Sequence, residues 1–289
     1  MKQQQDNANG QAPVSDHLKQ RVITGAAIGT IGLFVLCLSS VQWLFRMVIA
    51  LLSIGAGVEL TKIRNFEGGK TFLLLLSLLA IAFSFIRIPF YYPTISPAFL
   101  VVLCSFVTLI IYMERQQTAE ICLPFQGILS FICILFFHAA IEIRYQENGF
   151  LYLLVVVICT SATDVFAYFV GRTFGRHKLA PRTSPSKTIE GATGGTAAAV
   201  AVALLVGAFV QKIGVAQVNT AELLIYTLAI SVIGQFGDLS LSTVKRMAKI
   251  KDYGSLMPGH GGILDRFDSL LFALPLTFIL YNFGIRCFA

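Results

Sequence analysis

Residues 149–171 read Gly-Phe-Leu-Tyr-Leu-Leu-Val-Val-Val-Ile-Cys-Thr-Ser-Ala-Thr-Asp-Val-Phe-Ala-Tyr-Phe-Val-Gly. A helix needs roughly 17 to 25 apolar residues to cross the hydrocarbon core of a bilayer. This run supplies them with one charge, Asp164, and reads as a transmembrane helix. Outward from it the same pattern recurs. Apolar runs at 22–39, 42–61, 71–88, 95–113 and 122–141 precede it, and runs at 193–211, 221–237 and 266–285 follow. Only 13% of the 289 residues are charged, about half the usual share of a soluble domain, and the mean hydropathy is +0.75. The expected fold is all-α: a polytopic integral membrane protein of about nine transmembrane helices.

Three regions are expected: a polar tail at 1–19, N-terminal helices at 20–145 acting as scaffold or dimer surface, and a C-terminal catalytic region at 146–289. Polar residues precede the first apolar run, so no signal peptide is expected. With nine spans, most of the 22 Lys and Arg residues share a side with the N-terminus. The other side has only Arg87, Arg144, Lys212 and Arg286, with Arg46 inside a span. The positive-inside rule makes the basic side cytoplasmic. The net charge of +7 is this topology signal plus attraction to anionic lipid. No basic helix or aromatic platform accompanies it, so no nucleic-acid partner is expected. The six cysteines lie in or beside apolar runs without C-x-x-C spacing, which argues against a zinc site or a disulfide framework.

The densest polar chemistry lies at 242–268, Ser-Thr-Val-Lys-Arg-Met-Ala-Lys-Ile-Lys-Asp-Tyr-Gly-Ser-Leu-Met-Pro-Gly-His-Gly-Gly-Ile-Leu-Asp-Arg-Phe-Asp. Lys245, Arg246, Lys249 and Lys251 suit phosphate, and a Gly-rich turn through Gly261 and Gly262 lets phosphate approach backbone. Asp265 and Asp268, at i and i+3, share a helix face. Asp238, read as closing the eighth run, would bring a third carboxylate. Close carboxylates in low dielectric call for a cation between them, and hard oxygen donors suit a divalent one. Helix capping by Asp265 and Asp268 is the bland alternative. His260 either contacts phosphate, shuttles a proton or is structural.

Two further constellations lie upstream. Asp164 is an acid inside a span, a functional-site hypothesis by default; with Tyr168 and Gly171 it marks a face expected toward the bundle interior. Pairing with a basic residue for helix packing is the alternative. The loop 171–191 joins Arg172, Arg176, Lys178, Arg182 and Lys187 to the hydroxyls of Ser184, Ser186 and Thr188. Cations with hydroxyls suit a triphosphate, although a topogenic basic loop also fits. Glu59 is another acid at membrane depth, and His138 is expected to face the interior as a packing residue.

These motifs carry a resemblance. Ser242-x-x-Lys245-Arg246, Lys251-Asp252 and His260-Gly261-Gly262-x-x-Asp265-Arg266-x-Asp268 resemble the signature of the phosphatidate cytidylyltransferase (CDP-diacylglycerol synthase) family. Asp164-x-x-Ala167-Tyr168-x-x-Gly171 and Ser184-Pro185-x-Lys187-Thr188-x-Glu190-Gly191 resemble it too, over roughly 160–270. The resemblance implies transfer of CMP from CTP to phosphatidic acid, giving CDP-diacylglycerol and pyrophosphate, with Mg²⁺ and a second cation such as K⁺. It implies Asp238 and Asp265 as metal ligands, and a homodimer in a bacterial inner membrane with its site on the cytoplasmic face. Asp268 and Asp164 are expected to assist the metal. Lys187, Lys245, Arg246 and Arg266 are expected on phosphates, with Ser184, Thr188, Lys251, His260, Gly261 and Gly262 beside them. Two other classes remain open. An ion-coupled transporter would use Asp164 and Glu59 but needs no such surface motif. Another lipid-phosphate enzyme is the other class, either a CTP-dependent lipid kinase or a CDP-alcohol phosphotransferase. The latter carries an Asp-Gly-x-x-Ala-Arg pattern that this chain lacks.

Overall fold

The computed structural model describes residues 37, 39–62, 69–85, 99, 102–107, 109–111, 123–254 and 261–289. Seven long helices lie among them: α1 (Gln42–Lys62), α2 (Gly69–Phe85), α3 (Leu123–Arg144), α4 (Gly149–Phe174), α5 (Ile189–Lys212), α6 (Thr220–Met247) and α7 (Leu264–Asn282). Four of them, α1, α4, α5 and α6, are long and apolar enough to cross a membrane. The runs expected at 71–88, 122–141 and 266–285 form α2, α3 and α7. The tail at 1–19 and nearly all of the run at 22–39 lie outside the described residues, as does part of 95–113. The described chain is that of a polytopic helical membrane protein.

Two features depart from the sequence reading. The chain is not wholly α, because β1 (Lys178–Ala180) and β2 (Ser184–Thr188) form an antiparallel hairpin between α4 and α5. Its sequence, Lys-Leu-Ala-Pro-Arg-Thr-Ser-Pro-Ser-Lys-Thr, has no apolar alternation to announce a strand. An isolated hairpin is marginal in water, so this one depends on its surroundings. Arg246 Nε donates to Thr183 O at 3.2 Å, and Ile189 N donates to His177 O at 2.9 Å. Secondly, α6 does not end at Asp238 but runs on to Met247. Leu241, Val244 and Met247 continue its buried face beyond the apolar run, and Lys245 and Arg246 stand in the last turn, where cations complement the helix dipole. The connection between the runs expected at 221–237 and 266–285 is correspondingly shorter.

Helices inside a bilayer gain nothing from excluding water and rely on close packing and polar contacts. Along α5 the buried positions Gly191, Gly195, Ala199, Ala203 and Gly207 recur every fourth residue. They form a stripe of small residues whose first turns lie against α4. A Cβ at Gly195 would come 2.6 Å from Thr163 O, and one at Gly191 2.7 Å from Ala167 O. A hydroxyl and amide ladder then joins α4, α5 and α6. Thr163 Oγ1 and Ser231 Oγ are 2.8 Å apart, Ser231 Oγ donates to Thr196 Oγ1 at 3.0 Å, and Gln235 Nε2 donates to the same Thr196 Oγ1 at 2.8 Å. Each such interhelical bond contributes about 0.6–2 kcal/mol. Gly237 brings α6 onto α7, since a Cβ there would sit 2.7 Å from Asp268 O. In this way α4 to α7 form one closely packed unit, with α3 joining it to α1.

Candidate active site

Two groups of charged residues occupy neighbouring places where α4, α6 and α7 meet. The first lines a cleft of about 450 Å³. Its walls are Asp164, Tyr168 and Arg172 from α4, Lys178 and Lys187 from the hairpin, and Gln235 and Asp238 from α6. Lys187 Nζ forms an ion pair with Asp238 Oδ2, and both side chains are 25% exposed. Asp238 Oδ1 accepts from Ser242 Oγ at 3.3 Å, one turn on. Asp268 lies within electrostatic reach of Asp238, Asp164 and Lys245, and Asp164 within reach of Lys187 and Arg266. Ser269 joins Asp268 and Asp164: its N–H donates to Asp268 Oδ1 at 2.8 Å, and its hydroxyl lies 3.4 Å from Asp164 Oδ2.

The second group is buried. Asp265 is 8% exposed, and both its oxygens are engaged. Oδ1 receives Lys245 Nζ at 2.9 Å, while Oδ2 accepts the amides of Tyr253 at 2.8 Å and Gly262 at 2.9 Å. Tyr253 lies under the Lys245 ammonium at 5.5 Å and donates its hydroxyl to Leu241 O at 2.8 Å. Burial pushes its phenol well above the ordinary tyrosine range, so it remains a donor. Gly261 takes φ +80°, a conformation an L side chain resists, and a Cβ there would press on the Asp265 carboxylate. Gly262 N–H turns inward to Asp265, so this amide of the Gly-rich turn already serves a carboxylate.

The expected residues therefore divide. Asp164, Lys187 and Asp238 line the cleft, with Asp268 adjacent, while Asp265 and Lys245 form the buried pair beside it. The face of Asp164 and Tyr168 opens onto the cleft instead of the bundle interior; Tyr168 is 59% exposed. The hairpin forms one side of the cleft and places Lys187 on its wall. Thr188 is engaged as the α5 cap, its Oγ1 accepting Gly191 N at 3.1 Å. Arg246 reaches the hairpin, Ser184 opens β2 half-buried, and Lys251 and Arg266 are exposed. His260 lies outside the described residues. His138 is buried on α3 with Glu142, 3.2 Å away, as a packing residue would be. Sequence reasoning passed over Gln235, although it lies three residues before Asp238 on the same helix face. It also passed over Tyr253.

The donor chemistry suits a hard divalent cation, because Asp164, Asp238, Asp265 and Asp268 offer carboxylate oxygens alone. As placed, no three His, Cys, Asp or Glu side chains among the described residues stand close enough together to hold a metal ion. Each of Asp238 and Asp265 instead has a lysine ammonium as counter-ion.

Residues 19–284 match the model of the cytidylyltransferase family. A phosphatidate cytidylyltransferase of Bacillus subtilis is 43% identical over 145 residues, 50% of this chain and 52% of that one. One of Staphylococcus epidermidis is 45% identical over 135 residues. In these two the match spans about half the length of the relative. One of Thermotoga maritima is 32% identical over 270 residues, 92% of this chain and 97% of that one. The two-part acid and lysine arrangement thus sits in a chain that, over nearly its whole length, belongs to the cytidylyltransferase family.

Proposed function

We propose that the protein transfers CMP from CTP to phosphatidic acid, giving CDP-diacylglycerol and pyrophosphate. The observation that carries this reading is the pairing of Lys187 with Asp238 on an open cleft, directly beside the buried pair Lys245 and Asp265. Family membership and relatives named for this reaction support it. The phosphate of phosphatidic acid is anionic at neutral pH and can itself attack the α-phosphorus of CTP. The new P–O bond forms as the α–β anhydride breaks, and pyrophosphate leaves with the electron pair. No side-chain nucleophile is needed, so catalysis rests on positioning and charge neutralisation. Lys187, on the cleft wall, would bind the triphosphate. Lys178 and Arg172 face the same volume. Lys245, Arg246, Lys251 and Arg266 would hold further phosphate oxygens, Arg bidentately, with His260 and Ser184 nearby in sequence.

Magnesium, with a second cation such as K⁺, would be held by Asp238 and Asp265, assisted by Asp268 and Asp164, and would neutralise phosphate oxygens. A nine-span homodimer with the site on the cytoplasmic face of a bacterial inner membrane completes the proposal. The positive-inside asymmetry supports that orientation. Purified protein in lipid nanodiscs, given labelled CTP, phosphatidic acid and Mg²⁺, should release pyrophosphate and form a CMP-bearing lipid. Ion or solute transport without lipid product would overturn the reading, and a phosphorylated lipid without CMP would favour a CTP-dependent lipid kinase.

A further inference from the structure

Glu59 stands on α1, in the half of the chain expected to serve as scaffold, yet it is only 5% exposed and reaches the candidate site. Ile263 N–H donates to its Oε1 at 2.6 Å and Leu264 N–H to its Oε2 at 2.9 Å. Helix α7 has no side-chain cap of its own, because Ile263 occupies the capping position. The first amides of a helix lack intrahelical partners, and here a carboxylate from more than 200 residues away supplies them. Backbone is cleared to admit it. A Cβ at Gly262 would run into the Glu59 carboxylate, and one at Gly254 would come 2.9 Å from Oε1. One turn before Glu59, Gly55 leaves room for the Ile263 side chain.

Four amides around this turn are thereby shared between two acids: Tyr253 and Gly262 go to Asp265, Ile263 and Leu264 to Glu59. A local Ser, Thr or Asn at the cap would satisfy the helix end without bringing a second buried carboxylate beside Asp265. The arrangement costs like-charge repulsion and gains a fixed link between α1 and the turn. The glycines of the turn are explained by the same geometry, as clearance for two carboxylates.

We propose that Glu59 is a positioning residue. It ties α1 to the 261–264 turn and so sets the direction of Asp265 and of the Lys245 it holds; this rests on the cytidylyl-transfer reading above. Glu59→Gln and Glu59→Asp, in the full chain in nanodiscs, test it by steady-state kinetics and amide hydrogen exchange. Glu59→Gln turns an amide donor toward one of two N–H groups. It should lower kcat by about 10- to 100-fold, the range for groups that orient a site's ligands, with KM for CTP changed less than about twofold. Exchange should rise at residues 261–265 and stay unchanged in α4 and α5. Glu59→Asp keeps both acceptor oxygens and should recover most of kcat and of the local protection. Wild-type kcat in Glu59→Gln, protection lost equally across α4 and α5, or no recovery in Glu59→Asp would each overturn the proposal. If the unaltered protein makes no CMP-bearing lipid, the activity reading fails by itself, and the exchange pattern alone decides for or against the Glu59 link.

Discussion

The Lys187–Asp238 and Lys245–Asp265 pairs use the same two residue types a short distance apart, but their surroundings differ. The first lies on a cleft wall, a quarter exposed, with a hydroxyl as its other partner. The second is buried, and two backbone amides fix its carboxylate. An exposed ion pair contributes little to stability. A buried one leaves an uncompensated charge if either partner is removed. In the proposed reaction Lys187 is free to leave Asp238 for a substrate phosphate, whereas Lys245 and Asp265 are held more firmly, by burial and by two backbone amides. Residue type sets what each group can bind, and burial sets whether it can let go.

The two pairs should differ most when their carboxylates are removed. Asp238→Ala and Asp265→Ala are each expected to abolish CTP-dependent lipid product while the protein still inserts, measured by CMP transfer in nanodiscs. Near-wild-type activity in either variant would sink its assignment as a metal ligand. The two should separate in stability. Asp265→Ala strands Lys245 and should cost about 3–5 kcal/mol, whereas Asp238→Ala should cost under about 1 kcal/mol. Chemical denaturation in detergent, read by Trp43 or circular dichroism, distinguishes them; equal losses would erase the contrast between the regions.

The lysines sharpen it further. Lys187→Met should lose activity with little change in unfolding midpoint, while Lys245→Met should lose both, because Asp265 is then left buried without its lysine partner. At the α4–α5 contact, Gly195→Ala forces a Cβ toward Thr163 O and should cost about 1–3 kcal/mol. It should also slow transfer by loosening the α4 wall of the cleft. The smallest effect is expected at Thr188→Ala, which removes the α5 cap for about 1 kcal/mol. Its catalytic loss should track stability alone, and a larger drop at equal fold content would return Thr188 to the substrate.

Particular residues show how far the sequence could be read. Apolar length marked α1 to α7, since a span of this kind needs only local composition. It misplaced the end of α6, because Asp238 and the polar residues after it end the apolar run while Leu241, Val244 and Met247 carry the helix on against protein. The hairpin had no period to betray it and exists by what it packs on. Asp164 was legible as a candidate because charge at membrane depth is costly and needs a reason. Lys187 was legible because it stands among cations and hydroxyls in one loop, and Asp238 because it brings a third carboxylate to Asp265 and Asp268. Glu59 was legible as an anomaly but not as a partner of Ile263 and Leu264, since backbone amides carry no mark in a sequence.

By itself, then, the sequence determined a polytopic helical membrane protein with the ordered acids, lysines and glycines of a cytidylyltransferase. Those properties follow from composition, run length and spacing, all of which are local. Only the tertiary structure decided which ammonium meets which carboxylate, which amides of the Gly-rich turn are already taken, and that an α1 acid reaches the start of α7. Such pairings join segments as far as 205 residues apart, and they are set by helix packing at backbone distance, which no spacing along the chain encodes.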